Sequence, residues 1–231
     1  FFENINKKYK NKILNNYVFN KNYKITYDPK IDSLTFKKVR INTIKKYIKV
    51  PEEKIFFIDH HVCHANHAYF SSPIRGKATV ITADGVGDRG VNATISISKN
   101  DKLKKIFETT NQSIGRLWRY VTLILGMKPQ QHEFKVMGLA PYADQNIAKK
   151  VYLELKNFQR VKGLNFKYVN KPKDLYFSFK AKFKNFRFDG IAGGLQMYTE
   201  EIFSTWVKNV LKKTKCSVLL FSGGISMNIK M

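Results

Sequence analysis

The chain has 231 residues, 43% of them hydrophobic, two cysteines and a formal net charge of +25, enough apolar content for one large or two small globular domains. No stretch approaches the ~18 uncharged apolar residues of a membrane-spanning helix, Phe1-Phe2-Glu3-Asn4 has no signal-peptide pattern, and Cys63 and Cys216 lack the spacing of a zinc knuckle or disulfide framework; the expectation is a cytoplasmic protein with two buried free thiols and no membrane partner. The charge excess is mostly Lys, spread along the chain beside abundant Asn, which reads as compositional drift rather than a nucleic-acid patch.

Residues Phe1 to Lys30 are polar, rich in Lys, Asn and Tyr, and without a clean period, as in surface helix or partly ordered connection. From Ser33 to Val50, Leu34, Phe36, Val39, Ile44 and Ile48 recur at mostly three-to-five spacing, which predicts an amphipathic helix with a solvated basic face. The apolar run Lys54 to Ile58 reads as a buried strand, and Asp59 as the cap of a helix carrying His60 to Phe70. Pro73 and Gly76 interrupt the chain at Ser71 to Lys77, and the domain boundary is placed there. Ala78 to Ala83 reads as a buried strand, Asp84 to Gly90 as a tight turn, and Ala93, Ile95 and Ile97, alternating with Thr94, Ser96 and Ser98, as the returning strand of a hairpin.

Further on, Glu133 to Pro141 reads as a short helical segment closing at glycine and proline. Phe166 to Phe188 interleaves aromatics with Lys, a pattern that could stack bases, although a β-hairpin with a basic outer side is the preferred reading. Gly193-Gly194, with no buried strand before it, reads as a plain tight turn. Tyr198, Ile202, Trp206 and Val210 share a helical face, followed by a strand at Val218 to Phe221 and the loop Ser222-Gly223-Gly224. Helix, strand and glycine loop in succession point to an α/β domain.

Four of the five histidines, His60, His61, His64 and His67, fall within eight residues. On a helix His60 and His64 stand one turn apart on one face and can converge on one ion, with His67 close to that face and His61 about 100° away. Asp84, at the end of a buried strand, presents a carboxylate at the sheet edge where α/β sheets place ligands, and can bind the metal directly or through water. Gly85, Gly87 and Gly90, and again Gly223 and Gly224, let backbone amides approach an anion, and two such loops after buried strands point to a nucleotide.

Together, His60-His61-x-x-His64-Ala65, Thr82-Ala83-Asp84-Gly85-x-Gly87, Ser113-Ile114-Gly115-Arg116-Leu117, Glu133 to Pro141, and Ser222-Gly223-Gly224 with Asn228 resemble the carbamoyltransferase family of nodulation-factor and antibiotic O-carbamoyltransferases. The match runs in order from about Phe57 to Asn228, and five motifs in series are far more specific than any one. The resemblance implies a duplicated ribonuclease-H-like fold of the actin and sugar-kinase kind, incomplete at both ends, with residues 1–75 the remainder of a first lobe and 76–231 a partial second lobe. It implies a divalent metal, iron in this family, on His60, His64 and Asp84, and ATP or carbamoyl adenylate against Gly85, Gly87, Gly223, Gly224 and Asn228. Carbamoyl phosphate, ATP and a hydroxyl-bearing acceptor are the implied partners. Lys135 matches a motif position without an assignable role, and His67 stands where the family has a small residue. By the same resemblance a first phosphate loop, a later aspartate ligand and the adenylate-forming domain lie outside this chain, which alone is not expected to turn over. The alternatives are a tRNA threonylcarbamoyl transferase-like enzyme and a basic nucleic-acid-binding module without catalysis, the latter leaving the histidines and both glycine loops unexplained.

Overall fold

The structure is a computed structural model that describes residues 29–231, so nearly all of the polar first thirty residues lie outside the described part. Two compact units meet between Ile58 and Asp59. In the first, helix α1 (Pro29–Ile48) forms close to the expected span, with Phe36, Val39 and Ile44 half-buried and Leu34 and Ile48 exposed. The run Lys54 to Ile58 is not a buried strand. It follows a single 3-10 turn, Glu52–Lys54, and Phe56 and Ile58 are exposed, because among the described residues no neighbouring strand supplies a ladder to pair with it.

The second unit, Asp59–Met231, is built on a four-stranded sheet. Its strands are β1 (Thr79–Ala83), β2 (Ala93–Lys99), β3 (Lys102–Thr109) and β6 (Leu219–Ser222), in the order β3-β2-β1-β6. The first three form an antiparallel meander, and β6 returns parallel to β1. Central β1 is buried throughout, and its pleat divides it between two cores. Ala78 and Val80 pack with Ala65 and Tyr69 of helix α2 (His60–Phe70), whereas Ile81 and Ala83 join the larger core on the other face. That core holds Leu117 and Val121 of α3 (Ile114–Ile124), Val136 of α4 (Glu133–Leu139), Val151 of α5 (Gln145–Lys156) and Trp206 of the long α7 (Phe188–Thr214). The alternating turn of β1 also sends Thr82, and after it Asp84, toward α2, which fixes where the site forms.

Gly193 and Gly194 are not a turn. They lie inside α7, where a Cβ on Gly194 would sit 2.5 Å from the Cβ of Val151, and one on Gly193 2.5 Å from that of Ala143. Glycine costs a helix interior about 1 kcal/mol, here offset by the close approach of α5 to α7. Phe166 to Phe188 is likewise not a hairpin. Phe166 lies within the short pair β4 (Gln159–Lys162) and β5 (Asn165–Tyr168), after which the chain turns into helix α6 (Leu175–Phe183). Phe166, Phe179 and Phe183 belong to the core, so these three rings are not displayed for stacking. Both cysteines are free, Cys216 buried as expected but Cys63 exposed on α2.

Gly138, in the last turn of α4, has open space where a Cβ would go. Gly138→Ala is therefore expected to stabilise the protein by about 0.5–1 kcal/mol. A thermal melt of the two proteins checks this, and an unchanged or lowered midpoint contradicts it.

Candidate metal and ligand site

Helix α2 begins where the sequence signals it should. Asp59 accepts hydrogen bonds from the backbone N–H groups of His61 (3.0 Å) and Val62 (3.2 Å), and the N–H of His60 donates to Asp88 in the glycine turn at 2.7 Å. The cap thus ties the histidine helix to the turn that follows β1. Gly87 completes this contact, because a Cβ there would lie 2.8 Å from the His61 ring and 3.1 Å from that of His60. In this structure its missing side chain makes room for imidazoles.

His60, His64 and Asp84 come together. The Nε2 atoms of His60 and His64 lie 2.9 and 3.1 Å from Asp84 Oδ2 and 3.1 Å from each other. Hydrogen bonding alone cannot satisfy this triangle. Each neutral imidazole Nε2 carries either a proton or a lone pair: if both donate to the carboxylate the two N–H groups crowd each other with no bond between them, and if only one donates, the other ring's lone pair faces the carboxylate oxygen. One shared cation removes the conflict. The three spacings match the edge of an octahedral face, about 3.0 Å for ligands about 2.1 Å from a metal. Two imidazoles and one carboxylate on one face are also the donor set that non-haem ferrous iron takes. The residues present therefore fit the metal.

Neighbouring groups hold the three donors in place. Ser222 Oγ at the end of β6 lies 3.4 Å from His64 Nδ1, and the second oxygen of Asp84 accepts the N–H of Gly85 at 2.6 Å. Burial pushes the Asp84 carboxyl up, but hydrogen bonds from His60, Gly85 and His64 outweigh it and hold it below the ordinary range. The buried Gln112 donates to the backbone carbonyl of Asp84 at 3.1 Å.

The remaining histidines of the cluster do other work. His61 is fully buried, with Nε2 3.0 Å from the Val91 carbonyl and Nδ1 2.7 Å from Thr82 Oγ1. The carbonyl can only accept, so Nε2 bears the proton and Nδ1 accepts from the threonine. Burial holds its basicity down, in keeping with a neutral ring that joins α2 to the sheet. His67 is exposed, its Nδ1 3.1 Å from Ser71 Oγ, and takes no part in the cluster.

The two glycine loops meet at Asp84. A Cβ on Gly224 would lie 2.8 Å from Asp84 Oδ1, and one on Gly223 would overlap the carbonyl oxygen of Ala83. Gly85 is also closely met, since a Cβ on Gly115 of α3 would lie 3.0 Å from its backbone. Asn228 pairs its amide with that of Gln196 on α7, at 2.9 and 3.1 Å. Lys135 is exposed, its ammonium 5.9 Å above the Phe134 ring. Sequence reasoning named Ser222 only as part of its glycine loop and missed Gln112 and Arg119, whose guanidinium reaches the Gly85 turn from α3. The one signal for Arg119 in the sequence is that it stands, with Arg116, on an otherwise largely apolar helical stretch.

No helix of the described residues is long and apolar enough to cross a membrane. Among relatives, the chain is 27% identical over 198 residues to an uncharacterized protein of Methanocaldococcus jannaschii, covering 83% of this chain and 38% of that one. It is 29% identical over 193 residues to an uncharacterized protein of a Synechocystis species, covering 75% and 31%. To the nodulation protein NolNO of Sinorhizobium fredii it is 31% identical over 97 residues, covering 42% and 14%. The chain thus spans about a third of the length of the first of the curated relatives it matches. The family model described as the carbamoyltransferase N-terminus matches residues 3–231, and the chain belongs to that family.

Proposed function

We propose that the protein transfers a carbamoyl group from carbamoyl phosphate, through ATP-dependent formation of carbamoyl adenylate, to a hydroxyl of a small-molecule or carbohydrate acceptor. The observation that carries this reading is the convergence of His60, His64 and Asp84 at the end of β1, beside a second glycine loop at the end of the parallel strand β6. Ligand sites of α/β sheets lie at such carboxyl ends. An antiparallel meander with a fourth strand parallel to the first supports reading this layer as one lobe of a ribonuclease-H-like fold.

In this reading His60 Nε2, His64 Nε2 and Asp84 Oδ2 hold a divalent ion, iron by resemblance. When bound, the ion supplies Lewis acidity toward a carbonyl or phosphate oxygen. The chain's own contribution is orientation: Ser222 fixes the His64 ring, while the Gly85 N–H and Gln112 fix Asp84. In the transfer, the acceptor oxygen bonds to the carbamoyl carbon, the bond from that carbon to the adenylate phosphate oxygen breaks, AMP leaves, and the hydroxyl proton passes to solvent.

The full-length protein is assayed with radiolabelled carbamoyl phosphate, ATP and a panel of sugars and hydroxylated small molecules. Label should enter an acceptor, stop after chelation, and resume when ferrous iron is restored, with bound iron measured in parallel. Undiminished transfer by protein shown to be metal-free defeats the metal assignment, and absence of ATP-dependent pyrophosphate release defeats the adenylate route.

A further inference from the structure

Arg119 lies in the middle of α3, half-buried, with its Nη2 3.4 Å from the position a Gly85 Cβ would take. Its Nε is sealed from solvent and has no hydrogen-bond partner among the described residues. None of the ion pairs formed by the described residues includes Arg119. The nearby Asp84 forms no ion pair with Arg119, its two oxygens facing two imidazoles and the Gly85 N–H.

A guanidinium does not discharge at any physiological pH, so burial cannot be relieved by losing the proton. A sealed guanidinium N–H without an acceptor is costly, and such groups are ordinarily matched by an acceptor or an anion. The N–H groups of the three glycines in the turn beside it are already committed. The N–H of Gly85 goes to Asp84, that of Gly87 to the Val91 carbonyl at 2.6 Å, and that of Gly90 to the Gly87 carbonyl at 3.2 Å. Arg119 stands against this turn as a side-chain cation without an ion-pair partner among the described residues.

We propose that Arg119 is the anchor for a phosphoryl group of the ligand, bound against the Asp84–Gly85 turn next to the His60, His64 and Asp84 cluster. The subsite rests on the reading of this cleft as a carbamoyltransferase centre, whose ligands carry phosphate. The planar fork of arginine meets two oxygens of one phosphoryl group at once, a match that lysine reproduces only in charge. Nη2 lies close against the turn, where a Cβ on Gly85 would stand in ordinary contact with it at 3.4 Å.

The test is calorimetric binding of inorganic phosphate, AMP and carbamoyl phosphate to the full-length protein. The variants are Arg119→Gln, Arg119→Lys and a charge-matched control, Lys213→Gln, at the exposed end of α7. Arg119→Gln should weaken the phosphoryl probe more than about tenfold, Arg119→Lys should recover part of that loss, and the control should bind as the parent does. A preference for AMP assigns the phosphoryl group to the nucleotide, and a preference for carbamoyl phosphate assigns it to the carbamoyl donor. Equal weakening by Lys213→Gln reduces the effect to net charge and overturns the proposal. So does unchanged phosphate affinity in Arg119→Gln, or a more stable Arg119→Gln protein that binds as well as the parent. Iron binding is followed in the same samples: Arg119-dependent phosphate binding by protein that takes no iron would remove the metal reading and leave this subsite standing.

Discussion

Replacing His64 by Ala in the full-length protein is expected to abolish carbamoyl transfer to the acceptor while leaving pyrophosphate release from ATP and carbamoyl phosphate largely intact. The expectation follows from where the side chain stands. His64 Nε2 is one of three donors within about a metal ligand's reach of one another. Binding free energies of metals in protein sites are of order 10 kcal/mol, so losing one of the few protein ligands, of which this chain gives three, removes about 2–3 kcal/mol, on the order of a hundredfold in affinity. Adenylate formation, by the family resemblance, belongs to a separate centre.

The helix should survive the change. Ala65 and Tyr69 keep α2 on the sheet, Asp59 still caps it, and alanine is the better helix former. Asp84 keeps its contacts with His60 and the Gly85 N–H. Bound iron, pyrophosphate and carbamoylated acceptor are measured on the same samples, with circular dichroism to confirm the fold. Normal product from His64→Ala protein in metal-free buffer would make the histidine cluster structural and defeat the mechanism.

The cluster was legible in the sequence because two local rules agree there. An i,i+4 histidine pair behind an Asp cap defines a helix face, and a buried strand of period two places Thr82 and Asp84 on one side of the sheet. Elsewhere local pattern lacked the deciding term. The run Lys54 to Ile58 has a strand's composition, but composition does not reveal whether a neighbour exists to pair with it. In Phe166 to Phe188 the i,i+4 pair Phe179 and Phe183 and the cap Asp174, which accepts from the Phe177 N–H at 2.8 Å, do signal a helix; the alternating Phe177 and Phe179 competed with that signal, and packing against the core decided it. Gly193-Gly194 reads as a turn until α5 is seen against α7. Arg119 was least accessible, because periodicity places a cation on a helix without saying whether a carboxylate waits for it.

Replacing Gly223 by Ala is expected to destabilise the protein by about 3 kcal/mol or more, for two reasons that add. Gly223 has φ 109° and ψ 166°, a region almost confined to glycine that costs other residues about 1–3 kcal/mol. A Cβ there would also overlap the Ala83 carbonyl oxygen and lie 2.8 Å from its carbon. These are backbone atoms of the last residue of the central strand, registered against Ala93 of β2, so no rotamer change can relieve the overlap. The loop after β6 must move away from β1, taking Gly224 from its place against Asp84. For a domain of this size the loss corresponds to a fall in melting temperature of about 10 °C. Gly224→Ala provides the contrast, since its Cβ would meet only the Asp84 carboxylate, at 2.8 Å. That variant should melt close to the parent and bind ferrous iron more weakly, because the carboxylate that must yield is the one proposed to hold the ion. Melting by calorimetry and iron binding by titration separate the two. A Gly223→Ala protein as stable as the parent would mean that the glycine is not required by the backbone at this junction, and its place beside Asp84 would then have to be explained by the ligand alone.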